Sequence, residues 1–403
     1  MNTELNLKEL VKSNSNTKVK SIKITNNNQK SKRKIRTKSK TKSFSSLLSS
    51  DLNVNIKKSM YPKVPKLVAI GDIHGDLVVA IKALKLAKVI NESIPNTTKD
   101  ISKINWCGGN TIVVQLGDQI DRVRPNELVN DLCAVNDSEL NQDEGSDLKI
   151  ICLFEKLHQQ AIKQNGALFS ILGNHELMNI EGDFRYVSPK EFKEFGTFFK
   201  EKKEDKGNMP YGYSSRKRVF QPGGVLSKKL ANTRYSIIQI GSWIFVHGGI
   251  GPQLAQDYTI DDINHNIKQW LLGNSDPTIK HHINTLYNND DDTYSPFWTR
   301  VFSDLDEWNE EYHTTLFKKT LELLNKKNKR TSRTQIKGMI VGHSPQFMYN
   351  KCLNSSCDNA LWRVDVGASR AFGLFGGKKQ NYNRKVQILE IINDKEFNIL
   401  REK

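Results

Sequence analysis

The chain has 403 residues, with 61 Lys and Arg against 44 Asp and Glu, a formal charge of +17. Residues 1–60 hold 15 basic and 3 acidic side chains, so most of the excess sits in the first sixth and the rest is nearly balanced. That excludes one uniformly basic folded domain, and no run approaches the roughly 18–20 apolar residues that span a membrane.

Residues 1–60 are mostly Lys, Ser, Thr and Asn, with Phe44 the only aromatic. Such a segment buries too little apolar surface to offset its ordering entropy and is expected to be a disordered tail. Its charge suits electrostatic contact with nucleic acid or another polyanion through counterion release. Without interleaved aromatics it offers no stacking platform. The first nine residues lack the apolar core of a secretory signal, and early Glu4 and Glu9 disfavour a mitochondrial presequence. The expected location is intracellular and cytoplasmic, with nuclear targeting through residues 30–42 as the alternative. Five cysteines (Cys107, Cys133, Cys152, Cys352, Cys357), odd in number and without CxxC pairing, suit a reducing compartment. The sequence does not set the oligomeric state.

Order is expected from about residue 60, within a single domain over 61–403. Lys66–Ile70 reads as a short buried strand. Similar β-rich runs follow at 111–116, 167–172, Trp243–Val246, Gly338–Val341, 361–366 and 386–392. Helical patterns lie between several of them, at 76–89, 152–164 and 260–272. The alternation predicts an α/β fold, a β-sandwich flanked by helices, with largely parallel strands in its first half. Two segments read as insertions: acidic 125–147, and a helical, aromatic and basic cap at 188–229.

Chemistry gathers where these strands end. Ile70 leads into Gly71-Asp72-Ile73-His74-Gly75-Asp76, and Leu116 into Gly117-Asp118-Gln119-Ile120-Asp121-Arg122. Leu172 leads into Gly173-Asn174-His175-Glu176, Val246 into His247-Gly248-Gly249, and Val341 into Gly342-His343-Ser344. Ligands of open α/β sheets collect outside the carboxyl ends of strands, and four of the nine histidines stand at these ends. The donor set is oxygen and imidazole without thiolate, which favours two divalent ions, manganese first, with iron, zinc or magnesium as alternatives. Two ions need about this many ligands. Asp72 and His74 can reach one, Asn174, His247 and His343 the other, and Asp118 can bridge.

Together GDIHG, GDQIDR, GNHE, HGG and GHS resemble the metallophosphoesterase (calcineurin-like) superfamily, in its phosphoprotein-phosphatase branch. The run LGNHELMNIEGDFRYV from Leu172, FWTR ending at Arg300, GHSPQ at 342–346 and RVDVGASRAFG at 363–373 are similar to the Shewanella-like protein phosphatases. The likeness covers roughly 67–392. It implies a metal-dependent phosphoric monoester hydrolase acting on phosphorylated protein or peptide, phospho-Ser/Thr or phospho-Tyr, through attack of a metal-bridging hydroxide. By the same resemblance His175 is the general acid for the leaving oxygen and Asp121 its orienting carboxylate. Arg122 and Arg300 are the phosphate clamp. Glu176 is expected to be structural rather than catalytic.

Two departures stand out. Val123 replaces the glycine that usually follows the DR pair, and the spacings of 46, 56, 73 and 96 between Asp72, Asp118, Asn174, His247 and His343 are long. They leave substrate preference open. A small-molecule phosphohydrolase, such as a dinucleoside polyphosphatase, and a non-catalytic phosphate-binding adaptor are the alternatives. Arg185 and Tyr186 either line the groove or anchor the cap, and Arg370 is a weaker candidate. Phe192, Phe195, Phe198, Phe199, Tyr211 and Tyr213 form either a groove wall or the cap's own core. His281, His282 and the acidic run at 288–292 read as a solvated loop, and His158, His265 and His313 as surface.

Overall fold

The computed structural model describes residues 58–124, 143–202, 209–288, 291–305, 308–329, 334–372 and 384–403. Almost all of the basic tail and most of the acidic insertion, including Cys133, lie outside these residues, as do Asn289 and Asp290.

In chain order the first elements are strands β1 (Met60–Tyr61) and β2 (Lys66–Ile70), helix α1 (Leu77–Leu86), β3 (Ile112–Gln115), α2 (Asp147–Ile162) and β4 (Ala167–Ser170). Helices α3 (Asn174–Glu181), α4 (Pro189–Phe198), α5 (Tyr213–Phe220) and α6 (Val225–Thr233) follow, then β5 (Ile237–Ile240) and β6 (Trp243–Val246). Next come α7 (Pro252–Asp257), α8 (Ile260–Leu271), α9 (Pro277–Leu286), α10 (Glu310–Lys327) and β7 (Gly338–Val341). The chain closes with β8 (Asn354–Ser356), β9 (Leu361–Arg363), β10 (Gln387–Ile392) and β11 (Glu396–Arg401). His281 and His282 thus belong to helix α9, not to a loop.

One sheet runs β11-β10-β2-β3-β4 and the other β1-β5-β6-β7-β9-β8. The β2–β3 and β3–β4 pairs are parallel, each joined by a helical crossover, as the alternating pattern predicts. In the second sheet β6, β7 and β9 are parallel. The sheets meet where Leu172 N–H donates to Tyr235 O at 2.7 Å, and Tyr61 and Tyr235 share a buried hydroxyl–hydroxyl contact of 2.9 Å.

Side-chain alternation explains why the strands read as continuous apolar runs. Leu67, Ala69, Ile112 and Val114 face inward onto Ile238, Phe245, Ile340 and Trp362 of the opposite sheet. Val68, Ile70 and Val113 face outward under Ala80 and Leu84 of α1 and Ile150 and Phe154 of α2. On the other side Ile244, Val246 and Val341 lie under Ile263 and Ile267 of α8 and Phe317 and Leu324 of α10. Strands buried on both faces need apolar residues at every position. With two sheets stacked and helices outside, the carboxyl ends of β2, β3, β4, β6 and β7 share one rim.

Candidate metal centre

The loops that follow β2 and β3 are hydrogen-bonded to each other. Ile73 N–H and His74 N–H donate to Asp118 O at 3.0 and 2.8 Å, and Gly75 N–H donates to Gln119 O at 2.9 Å. Glu176, in the first turn of α3, ties in the third strand end. Its carboxylate accepts from Gly173 N–H at 2.7 Å, Asp118 N–H at 2.9 Å and Gln119 N–H at 2.8 Å. A Cβ added at Gly173 would overlap Asp118, so this close approach requires glycine. His74, Asp118, Asp121 and His343 all adopt positive φ, between 45° and 75°. Such strain in non-glycine residues concentrates at functional sites.

These loops bring the strand-end side chains together. Asp118 Oδ2 lies 3.8 Å from His74 Nε2, 3.8 Å from His175 Nε2 and 3.3 Å from His247 Nε2. Among the described residues, His74, Asp118 and His175 form one buried set of ligand-type atoms, and Asp118, His247 and His343 a second. Asp118 is common to both. Asp72 joins on the His74 side, its Oδ2 being 3.9 Å from His74 Nε2 and accepting His343 N–H at 3.1 Å. Asn174 joins on the other, with Oδ1 2.9 Å from His247 Nε2. Geometry alone also allows His175 as a ligand.

The electrostatics fit a cation. His247 Nδ1 lies 2.7 Å from Leu116 O, so that nitrogen carries a proton to donate. In the neutral tautomer the Nε2 lone pair then meets lone pairs of Asn174 and Asp118, and three acceptors converge where only a proton or a metal reconciles them. Burial, reinforced by Arg124, holds His74 well below the usual imidazole range, and burial with Arg300 does the same for His343. Both are therefore neutral, as metal ligands must be. Burial pushes Asp72 well up, helped by Asp365 and Asp118, and it lifts Asp365 to about 6. Asp72 Oδ1 and Asp365 Oδ2 are buried without a hydrogen-bond partner among the described residues. Crowded carboxylates with idle oxygens are the complement of a divalent ion.

Beside the cluster, His175 Nδ1 lies 2.8 Å from Asp121 Oδ2, which fixes the ring and turns Nε2 toward Asp118.

Known proteins resemble this chain over most of its length. The sequence model of the calcineurin-like phosphoesterases matches residues 65–347. The chain belongs to that family. An uncharacterised protein of Acanthamoeba polyphaga mimivirus is 34% identical over 268 residues, covering 62% of this chain and 98% of that one. Shewanella-like protein phosphatase 2 of Arabidopsis thaliana is 28% identical, covering 78% of this chain and 74% of its own. Among solved structures, the cold-active protein-tyrosine phosphatase of a psychrophilic Shewanella superposes with a TM-score of 0.53 at 20% identity, covering 86% and 83% of the two chains. That likeness speaks for the fold.

Calcineurin-like phosphoesterases use divalent metals, and the rim of this member's site shows which side chains frame such a centre. Arg300 is exposed, with Nη1 donating to Ser344 Oγ at 2.8 Å and to His343 O at 3.3 Å. Arg122 is buried, with Nη2 3.7 Å from Asp76 Oδ2, and its Nε and Nη2 find no hydrogen-bond acceptor among the described residues. Arg185 pairs outward with Asp183 at 2.7 Å. Arg370 holds Asp76, at 2.8 and 2.7 Å, away from the cluster. Tyr186 stays at the site, its ring 4.8 Å from that of His175.

Three contributors went unnoticed in the sequence. Arg124 lies between Tyr186 and Phe372, its Cζ 5.4 and 4.7 Å from their ring centres, and Phe372 sits 5.4 Å from the His74 ring. Its Nη1 donates to Asp121 O at 3.3 Å and to Val123 O at 2.9 Å, both in its own loop, so the Val123 departure sits within a built arginine turn. Asp365 follows β9 and so is another strand-end carboxylate, visible in principle within RVDVG. Arg216 comes from α5, 95 residues beyond Asp121, and nothing local in the sequence marks it.

Proposed function

We propose that this chain is a phosphoprotein phosphatase that hydrolyses phosphate monoesters with two divalent ions. Asp72, His74 and Asp118 would hold the first, and Asp118, Asn174, His247 and His343 the second. The observation that carries the reading is Asp118 Oδ2 within 3.8 Å of three imidazole nitrogens on three different strand ends. The oxygen and imidazole donors suit manganese, iron, zinc or magnesium, manganese being the first expectation. When bound, such a pair supplies Lewis acidity and makes water a nucleophile at neutral pH.

The chain's own residues supply the rest. His175, steadied through Nδ1 by Asp121, presents Nε2 to the leaving oxygen and gives it a proton, which matters most for a seryl or threonyl alkoxide. Arg122 and Arg300 supply forked donors to the non-bridging phosphate oxygens. Arg124, on the same rim and without a carboxylate within ion-pair distance among the described residues, is positioned to add a third. The Shewanella-like relatives named as protein phosphatases support a phosphorylated protein or peptide as substrate.

The test is a substrate panel on manganese-loaded protein, with zinc and magnesium in parallel. Phosphoserine, phosphothreonine and phosphotyrosine peptides should turn over faster than dinucleoside polyphosphates. Chelation should abolish turnover, and H175N should lower kcat on phosphoserine peptide by roughly 10²–10⁴. Faster turnover of nucleotides would replace the reading with a small-molecule phosphohydrolase, and no turnover of any ester by metal-loaded protein would leave a binding protein.

A further inference from the structure

The segment 188–229, read from sequence as a cap, reaches the centre of the site through one side chain. Arg216, on α5, is fully buried. Its Nη2 donates to Asp121 Oδ1 at 2.9 Å, its Nε donates to Asn179 Oδ1 at 2.7 Å, and its Nη1 forms an ion pair with Asp147 Oδ2 at 2.8 Å. Asn179, one helical turn beyond His175 on α3, donates Nδ2 to both oxygens of Asp121 at 3.0 Å and to His175 O at 2.9 Å. Asp121 Oδ2 is then free to meet His175 Nδ1 at 2.8 Å. Every direction around the Asp121 carboxylate is thus assigned: Arg216 and Asn179 on one oxygen, Asn179 and His175 on the other.

Aromatic rings wall the guanidinium. Phe195 and Phe220 lie 4.6 and 5.2 Å from the guanidinium carbon, and Phe184 5.9 Å. A buried ion pair of this kind is a poor device for stability alone, because the desolvation cost of both charges rivals their attraction. What this guanidinium does is hold Asp121 at two points, directly through Nη2 and indirectly through Nε on Asn179, whose amide binds both carboxylate oxygens. Rotation of Asp121 would swing Oδ2 away from Nδ1 and release the His175 ring.

We propose that Arg216 is a positioning residue for proton donation: it holds Asp121, and through Asp121 the orientation of His175, so the inserted helices are part of the catalytic apparatus. This rests on the reading of His175 as the general acid. The chain Arg216–Asp121–His175 runs from α5 through the loop after β3 to the start of α3, so a displacement of α5 is transmitted to the acid.

The experiment exploits the leaving group. An alkyl ester such as a phosphoserine peptide needs the proton, whereas 2,4-dinitrophenyl phosphate leaves without it. In the full chain, manganese-loaded, R216Q should lower kcat roughly 100-fold on the peptide and less than about tenfold on the aryl ester, with metal content unchanged. R216K, which keeps the charge but not the fork, should show the same selectivity to a smaller degree, and it decides the matter if R216Q fails to fold. In a D121N background R216K should add no further selectivity. Equal losses on both esters for the Arg216 variants, with H175N still selective, would overturn the proposal. Equal losses for H175N itself would overturn the general-acid reading beneath it.

Discussion

At the scale of single residues, the two arginines of the DRVR run are in unlike situations. Arg122 has an acidic neighbour in Asp76, which is itself satisfied by Arg370. Arg124 has aromatic walls and, among the described residues, no carboxylate within ion-pair distance, yet it bears electrostatically on Asp118 and His74. A cation on this rim, flanked by two rings, keeps its donors oriented at low entropic cost. R124M is therefore expected to lower kcat/KM on phosphopeptides by about 10–100-fold, the range of a lost charged hydrogen bond. Competitive inhibition by inorganic phosphate should weaken in step, with metal content intact. R122M, measured the same way, locates the phosphate. If phosphate inhibition is unchanged in R124M and lost in R122M, the seat lies at Arg122 and Arg124 only shapes the loop.

At the scale of elements, α4 shows how the helices of 188–229 are coupled to the sheet layer. Glu194 accepts Leu148 N–H at 3.0 Å at the start of α2. Burial, with Asp147 nearby, pushes its carboxyl up to about 8 from an ordinary 4.5. Between those values the folded chain keeps a proton that the unfolded chain has lost. Stability from this group therefore falls as pH rises through that window. E194Q retains an acceptor for Leu148 and removes the titration. Its unfolding free energy should exceed the parent's by on the order of 1–3 kcal/mol near pH 8.5 and match it near pH 4.5; an equal difference at both pH values in denaturant melts would assign the effect to packing.

The elements also show why part of the design was legible in the sequence. β2, β3, β4, β6 and β7 are buried on both faces and end in ligand-type residues, so each carries two local signals. β5 was missed because it shares one apolar run with β6, broken only by the two-residue turn at Gly241 and Ser242. β11 was missed because it is an edge strand with no buried position. The helical character of 188–229 was legible, but the use of these helices was not. Their aromatics are used in packing, with Phe195 and Phe220 joining the main core and Phe192 and Tyr213 clustering with Phe184. Arg216 resembles any other basic residue of a basic helix until tertiary packing sets it against Asp121.

At the scale of the whole molecule, the uneven charge predicts a division of labour that begins close to residue 58. Ser59 is buried with its hydroxyl on Asp261, and Met60 and Tyr61 pair with Gln239 and Ile240 of β5. Tyr61 and Val64 are buried between the sheets, Tyr61 against Phe169 and Tyr235. Among the described residues none of these contacts touches the His74–Asp118–His343 cluster. Deleting residues 1–57 should therefore leave kcat/KM on a small aryl phosphate and the thermal midpoint essentially unchanged, while removing any affinity for heparin or nucleic acid at low salt. Deleting residues 1–64 removes β1 and two buried apolar side chains, at a cost of about 3–6 kcal/mol from lost burial and the cavity left behind. That protein should melt several degrees lower yet retain activity at temperatures where it stays folded. Loss of aryl-phosphate activity in the folded 1–57 deletion would mean that the basic segment reaches the site, and the charge imbalance would then belong to catalysis as well as to attachment.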